Sequence, residues 1–99
     1  MKRIKNIHPG EILEVEFLAP MGITVYRLAK EIGIPQTRIA AIIKGNRRIT
    51  ADTALRLSAY FGMSPKFWLG LQNDYDIEEE GRAKEKELLA IKRHAPKAA

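Results

Sequence analysis

Thr24-Val25-Tyr26-Arg27-Leu28-Ala29-Lys30-Glu31-Ile32-Gly33-Ile34-Pro35-Gln36-Thr37-Arg38-Ile39-Ala40-Ala41-Ile42-Ile43-Lys44 contains two short helical patterns with almost no chain between them. Thr24 is a hydroxyl residue suited to cap the first, whose Val25, Leu28, Ala29 and Ile32 fall on one face. Gly33 ends that helix, because glycine enters the left-handed conformation without a Cβ clash. Pro35 is expected to begin the second helix, Ile39, Ile42 and Ile43 give its apolar stripe, and Gly45 stops it after Lys44. A helix pair joined this tightly is the helix-turn-helix arrangement, in which the second helix enters a DNA major groove. An ordinary helical hairpin in a bundle carries the same start and stop signals, so the outward face has to separate the two.

With Pro35 as origin and about 100° per residue, the three isoleucines at 39, 42 and 43 set an inward direction of about 20°. Thr37, Ala40, Ala41 and Lys44 then point away from the core, flanked by Gln36 and Arg38 near the helix start. Ala40 and Ala41 are small enough to let the helix approach a groove floor, and they can touch a thymine methyl. Gln36 can form a bidentate pair with adenine, Thr37 can bond a base or a phosphate, and Arg38 can reach guanine or the backbone. Thr24, Arg47 and Arg48 are expected on phosphates, where they position the protein without reading sequence.

The charge distribution agrees. Residues 1–50 hold nine basic and four acidic side chains, residues 51–99 eight of each, so the whole net charge of +5 lies in the first half. Between residues 25 and 48, Arg27, Lys30, Arg38, Lys44, Arg47 and Arg48 face only Glu31. Such a concentration favours a polyanion, since lysine and arginine release condensed counterions from phosphates.

Helical signals continue on both sides. His8-Pro9-Gly10-Glu11 opens a helix expected to reach about Leu18, before Pro20, although Leu13, Val15 and Phe17 alternate with Glu14 and Glu16 in a strand-like way. Thr50 caps a fourth helix bearing Ala54, Leu57 and Phe61 as far as Gly62. Ser64-Pro65 starts a fifth, with Trp68, Leu71 and Tyr75 on one stripe and Phe67 and Leu71 on the next. Glu78-Glu79-Glu80-Gly81 is expected to break it, leaving a charged, partly helical tail. The expected fold is all-α: a compact five-helix helix-turn-helix domain over residues 1–77, followed by a C-terminal tail over 78–99.

Composition narrows the function classes. At 99 residues, with 45% hydrophobic and 29% charged residues, the chain suits one globular domain. It has no cysteine, hence no disulfide, thiolate metal site or cysteine nucleophile. The longest apolar run, Ile39 to Ile43, is far short of a membrane span, and Glu11, Glu14 and Glu16 interrupt any signal-peptide core after Lys2, Arg3 and Lys5. A cytoplasmic protein is expected. Ser58 and Ser64 are explained by a helix face and a cap, and His8 and His94 lie near opposite ends, so no catalytic residues, metal site or cofactor are expected. RNA binding has no aromatic strand motif to support it.

Three segments carry a resemblance: His8-Pro9-Gly10-Glu11-Ile12-Leu13, Ile49-Thr50-Ala51-Asp52-Thr53-Ala54-Leu55-Arg56-Leu57, and Ser64-Pro65-Lys66-Phe67-Trp68-Leu69-Gly70-Leu71-Gln72-Asn73-Asp74-Tyr75-Asp76. With them, residues 8 to about 77 resemble the HigA family of addiction-module antitoxins, within the Xre or lambda-repressor-like helix-turn-helix group. The resemblance implies a homodimeric repressor that binds a palindromic operator and neutralises a RelE-like, mRNA-cleaving toxin. It also covers orphan regulators that lack a toxin, and a module that chiefly inhibits an enzyme is a further alternative. A single small module reads few base pairs, which is an independent reason for a dimer. Trp68, Leu71 and Tyr75 are the candidate dimer or partner interface, or else they are core. The acids from Asp74 to Glu80 either contact a basic toxin or solvate the helix end.

Overall fold

Capping chemistry sets nearly every boundary. The computed structural model describes residues 4–96, which hold six helices and no strand. The first, α1, spans residues 9–21 as three consecutive segments: Pro9–Ile12, a π-helical stretch Leu13–Leu18 and a final turn Ala19–Met21. It is followed by α2 (Val25–Ile32), α3 (Gln36–Ile43), α4 (Ala51–Phe61), α5 (Pro65–Ala83) and α6 (Glu85–Leu89). Thr24, Thr50 and Ser64 each accept a backbone N–H at the start of α2, α4 and α5. Gly33 takes φ 72°, and the amides of Gly33 and Ile34 both close on the Ala29 carbonyl, so the chain reverses at once into α3.

Three boundaries differ from the expectations. Pro35 is not the first residue of α3: its backbone is extended, and it caps the helix by offering its carbonyl to the amides of Arg38 and Ile39 at 3.0 and 3.2 Å. The first helix does not stop before Pro20. Proline lacks an N–H and its ring crowds the carbonyl four residues back; the wider π-helical turns, with the Ala19 amide bonding to Glu14, carry the helix into it. Those turns bury Leu13 and Leu18, half-bury Phe17 and leave Val15 exposed, which resolves the alternating pattern as helix. Finally, α5 runs unbroken through Glu78-Glu79-Glu80-Gly81 to Ala83, so the expected break at residue 78 is absent. Arg82 pairs with Glu78 and Lys84 with Glu80 at i,i+4 spacing, and Arg82 also donates to the Ile4 carbonyl.

One core unites α1 to α5. Leu13, Leu28, Ile39, Ile42, Ile49, Ala54, Leu57 and Trp68 are fully buried. Trp68 lies against Phe17 at a ring separation of 4.9 Å, with Phe61 and Phe67 around it. The tightest contact is between backbones. A Cβ on Gly10 would lie 1.8 Å from the Ile42 carbonyl oxygen, so only glycine lets α1 cross α3 at this distance. Just before it, His8 caps α1: its Nδ1 accepts the Gly10 amide at 2.9 Å, and its ring meets Tyr75 of α5 edge-on at 4.8 Å.

Gly10→Ala should therefore lower stability by about 2–4 kcal/mol, because the helices must separate or strain; a urea midpoint within error of the parent protein would refute this contact. A second outcome concerns pH. Burial holds the His8 imidazole below its ordinary pKa of 6.5, against the opposing pull of Asp76. The neutral ring is the form that accepts the Gly10 N–H, so its contribution is complete above pH 6.5 and fades as pH falls through the folded-state value. Urea melts at about pH 7.5 and 5.5, on either side of the ordinary histidine range, should show an acid loss that shrinks in His8→Asn, which retains a capping acceptor. An unchanged loss would contradict the assignment.

Candidate nucleic-acid interface

The apolar stripe of α3 turns inward as a unit. Ile39 and Ile42 are fully buried and Ile43 partly so, while Leu28, Ala29 and Ile32 of α2 and Ile34 of the turn pack on the same cluster. This brace leaves the other face of α3 open. Gln36, Thr37 and Lys44 are exposed, and Arg38, Ala40 and Ala41 are half-exposed beside them. Thr37 and Ala41 are thus not sealed beneath another helix. The two alanines make the middle of this face low, with longer polar side chains at both ends, the relief needed for a helix to lie in a groove.

Thr24 is exposed, and its Oγ1 already accepts the Arg27 amide at 3.0 Å, leaving the hydroxyl hydrogen available to an acceptor. Arg47 and Arg48 are exposed in the loop after α3. That loop is shaped by the end of the helix: Gly45, at φ 81°, donates to Ile42 and Asn46 donates to Ala41.

The basic side chains are not equally available. Arg27 is engaged by Glu31 at 2.6 Å, and this bond holds the Glu31 carboxyl below its ordinary range with help from Tyr60. Arg48 is engaged by Asp76 at 2.8 Å. Lys30, Arg38, Lys44 and Arg47 pair with none of the described acidic residues. These four supply the unpaired positive charge of the face: Lys30 and Arg38 along the helix pair, Lys44 and Arg47 around the end of α3.

The structure adds residues that sequence reading passed over. Tyr26 is 61% exposed and, with Ala29, Lys30, Ile34 and Gln36, lines a hollow of about 330 Å³ between α2 and the start of α3. Its signal in the sequence is its place two residues after the capping Thr24, to the side of the apolar stripe formed by Val25, Leu28, Ala29 and Ile32. Gln72 is 2% exposed: its Oε1 accepts the Ile49 amide at 2.7 Å and its Nε2 donates to Asp76 at 2.9 Å. Arg56 of α4 reaches the turn of the helix pair, donating to the Ile32 carbonyl at 2.8 Å.

Of the three candidate interface residues on α5, Trp68 takes the core alternative. Trp68 is 0% exposed, because Phe17, Phe61 and Phe67 enclose it, so its ring belongs to the core. Leu71 is half-buried against that core and Tyr75 half-buried on His8 of the same chain. Among the described residues, no three His, Asp or Glu side chains are grouped to hold a metal, and no helix is long and apolar enough to cross a membrane.

Comparison with known proteins gives the same outline. The helix-turn-helix family model matches residues 16–68. The chain is 37% identical over 94 residues to the antitoxin HigA-1 of Vibrio cholerae, covering 93% of this chain and 89% of that one. Among solved structures, an addiction module antidote protein of the HigA family from Coxiella burnetii superimposes with a TM-score of 0.86 at 42% identity, over 92% of this chain and 100% of that one. The antitoxin HigA of Pseudomonas aeruginosa, solved with the higBA promoter, superimposes with a TM-score of 0.88 at 35% identity, over 92% and 100% of the two chains.

Proposed function

The chain belongs to the helix-turn-helix family and, within it, to the HigA antitoxins, and from this premise we propose that it represses its own promoter as a homodimer on a palindromic operator and neutralises a RelE-like, mRNA-cleaving toxin. The carrying observation is the open face of α3, low at Ala40 and Ala41 and flanked by Gln36, Thr37, Arg38 and Lys44. Its relative from Pseudomonas aeruginosa has been solved with promoter DNA on the same fold.

In this reading α3 lies in the major groove. Gln36 pairs with an adenine edge, Thr37 and Arg38 reach a base or the adjoining backbone, and Ala40 and Ala41 lie against the groove floor. Thr24, Lys44, Arg47 and Arg48 hold phosphates on either side, and Tyr26 and Lys30 extend that contact from α2. Residues 1–77 supply the DNA-binding part and residues 78–99 an appended segment, although α5 joins the two without a break. Two-fold pairing doubles the readout, so operator half-sites should be spaced by about 10–10.5 base pairs or a multiple.

Gln36→Ala should cost about 1–3 kcal/mol on the preferred operator and relax base preference there, whereas Arg47→Ala should weaken binding to every duplex and flatten its salt dependence. Titration of operator and scrambled duplexes across a salt series measures both; equal, sequence-independent losses would reject the division of roles. Footprinting should reveal paired half-sites, and a lone protected patch would exclude the dimeric arrangement. Co-purification with the product of the adjacent reading frame separates a paired antitoxin from an orphan regulator.

A further inference from the structure

The Phe-Trp-Leu-x-Leu-Gln-x-x-Tyr-Asp run of α5 has its tryptophan in the core, yet its polar part converges on the loop that follows α3. Gln72 is 2% exposed with both ends of its amide engaged, one on the Ile49 backbone and one on Asp76. The second oxygen of Asp76 pairs with Nη2 of Arg48 at 2.8 Å. A buried amide is costly unless its hydrogen bonds are made, and a leucine or methionine would fill the same space. What the glutamine adds is direction: one rigid helix fixes the backbone at Ile49 and, through Asp76, the guanidinium at Arg48.

We propose that Gln72 and Asp76 are positioning residues for DNA binding, a clamp that holds the loop over residues 46–49 and aims Arg48 at a backbone phosphate. The inference rests on the DNA-binding reading above. Arg48 presents a fork of five N–H donors; Asp76 engages one nitrogen, and with the side chain still 60% exposed the remainder is open to a second acceptor. A free arginine loses rotamer entropy when it grips a phosphate, and an arginine already held by Asp76 has lost much of it beforehand. The clamp therefore opposes the simple electrostatic expectation. Asp76 is an acid beside a surface meant for a polyanion, and if it acted only through its charge, removing it would tighten binding.

That difference in sign is the test. Binding of a mixed-sequence DNA duplex of about 30 base pairs is measured over about 50–300 mM KCl for the parent protein, Asp76→Asn, Asp76→Glu, Arg48→Ala and the Asp76→Asn/Arg48→Ala double variant. The amide introduced by Asp76→Asn retains an acceptor for Gln72 while losing the ion pair, so the fold and loop path are kept. The clamp predicts that Asp76→Asn weakens binding about three- to tenfold despite the gain in positive charge, and lowers the salt slope by about one. Asp76→Glu should recover part of the loss, and in the Arg48→Ala background Asp76→Asn should weaken binding no further. Binding as tight as, or tighter than, that of the parent in Asp76→Asn overturns the clamp. Failure of the parent protein itself to bind any duplex overturns the DNA-binding reading instead, which keeps the two failures distinct.

Discussion

The backbone of Gly10 lies against the carbonyl of Ile42, and the placement of α3 depends on that contact. A helix presented to DNA has to be supported from behind, since one of its faces must remain bare. The support has two parts: Ile39 and Ile42 enter the core completely, and α1 approaches so closely that no side chain fits between the two backbones. The His8 cap and the π-helical turns that admit Pro20 serve the same end, since both fix how α1 enters and leaves this crossing.

The turn of the helix pair and the loop beyond it are secured in a different way, by single side chains on backbone atoms. Arg56 of α4 takes the last carbonyl of α2, and Gln72 of α5 takes the amide of Ile49 beyond α3. Each satisfies a backbone group that a helix terminus or tight loop would otherwise leave to water. The consequence is that α4 and α5 act less as bystanders than as a frame, and the frame also governs charge. Of the basic residues between 25 and 48, Arg27 is answered by Glu31 and Arg48 by Asp76, while Lys30, Arg38, Lys44 and Arg47 remain unpaired with described acids. A net charge read along the chain therefore overstates what the surface presents as free cation.

Where sequence reading succeeded, the reason was local. Hydroxyl caps at Thr24, Thr50 and Ser64, left-handed glycines at 33, 45 and 62 and the isoleucine spacing of α3 act within one or two turns, so a residue's neighbours in sequence are also its neighbours in space. On α5 the sequence left Trp68 open between interface and core and ended the helix too early, for a shared cause. Trp68 was a candidate partner contact, and Glu78 to Gly81 a candidate break, because the stripe around the tryptophan and the acidic run were judged without the chain that covers them. In the fold, Phe17 of α1 closes over Trp68, and Arg82 reaches back to Glu78 and across to Ile4.

The sequence by itself determined an all-helical chain, a tight helix pair at residues 24–44 and which face of the second helix is apolar, because helix periodicity and capping are properties of neighbouring residues. Only the tertiary structure decided that Gly10 is irreplaceable against Ile42, that Trp68 is core, and that Gln72 and Asp76 meet the loop at Ile49 and Arg48. Those relations join residues on different helices, far apart along the chain, and no spacing rule connects them: they exist only once the helices share one interior.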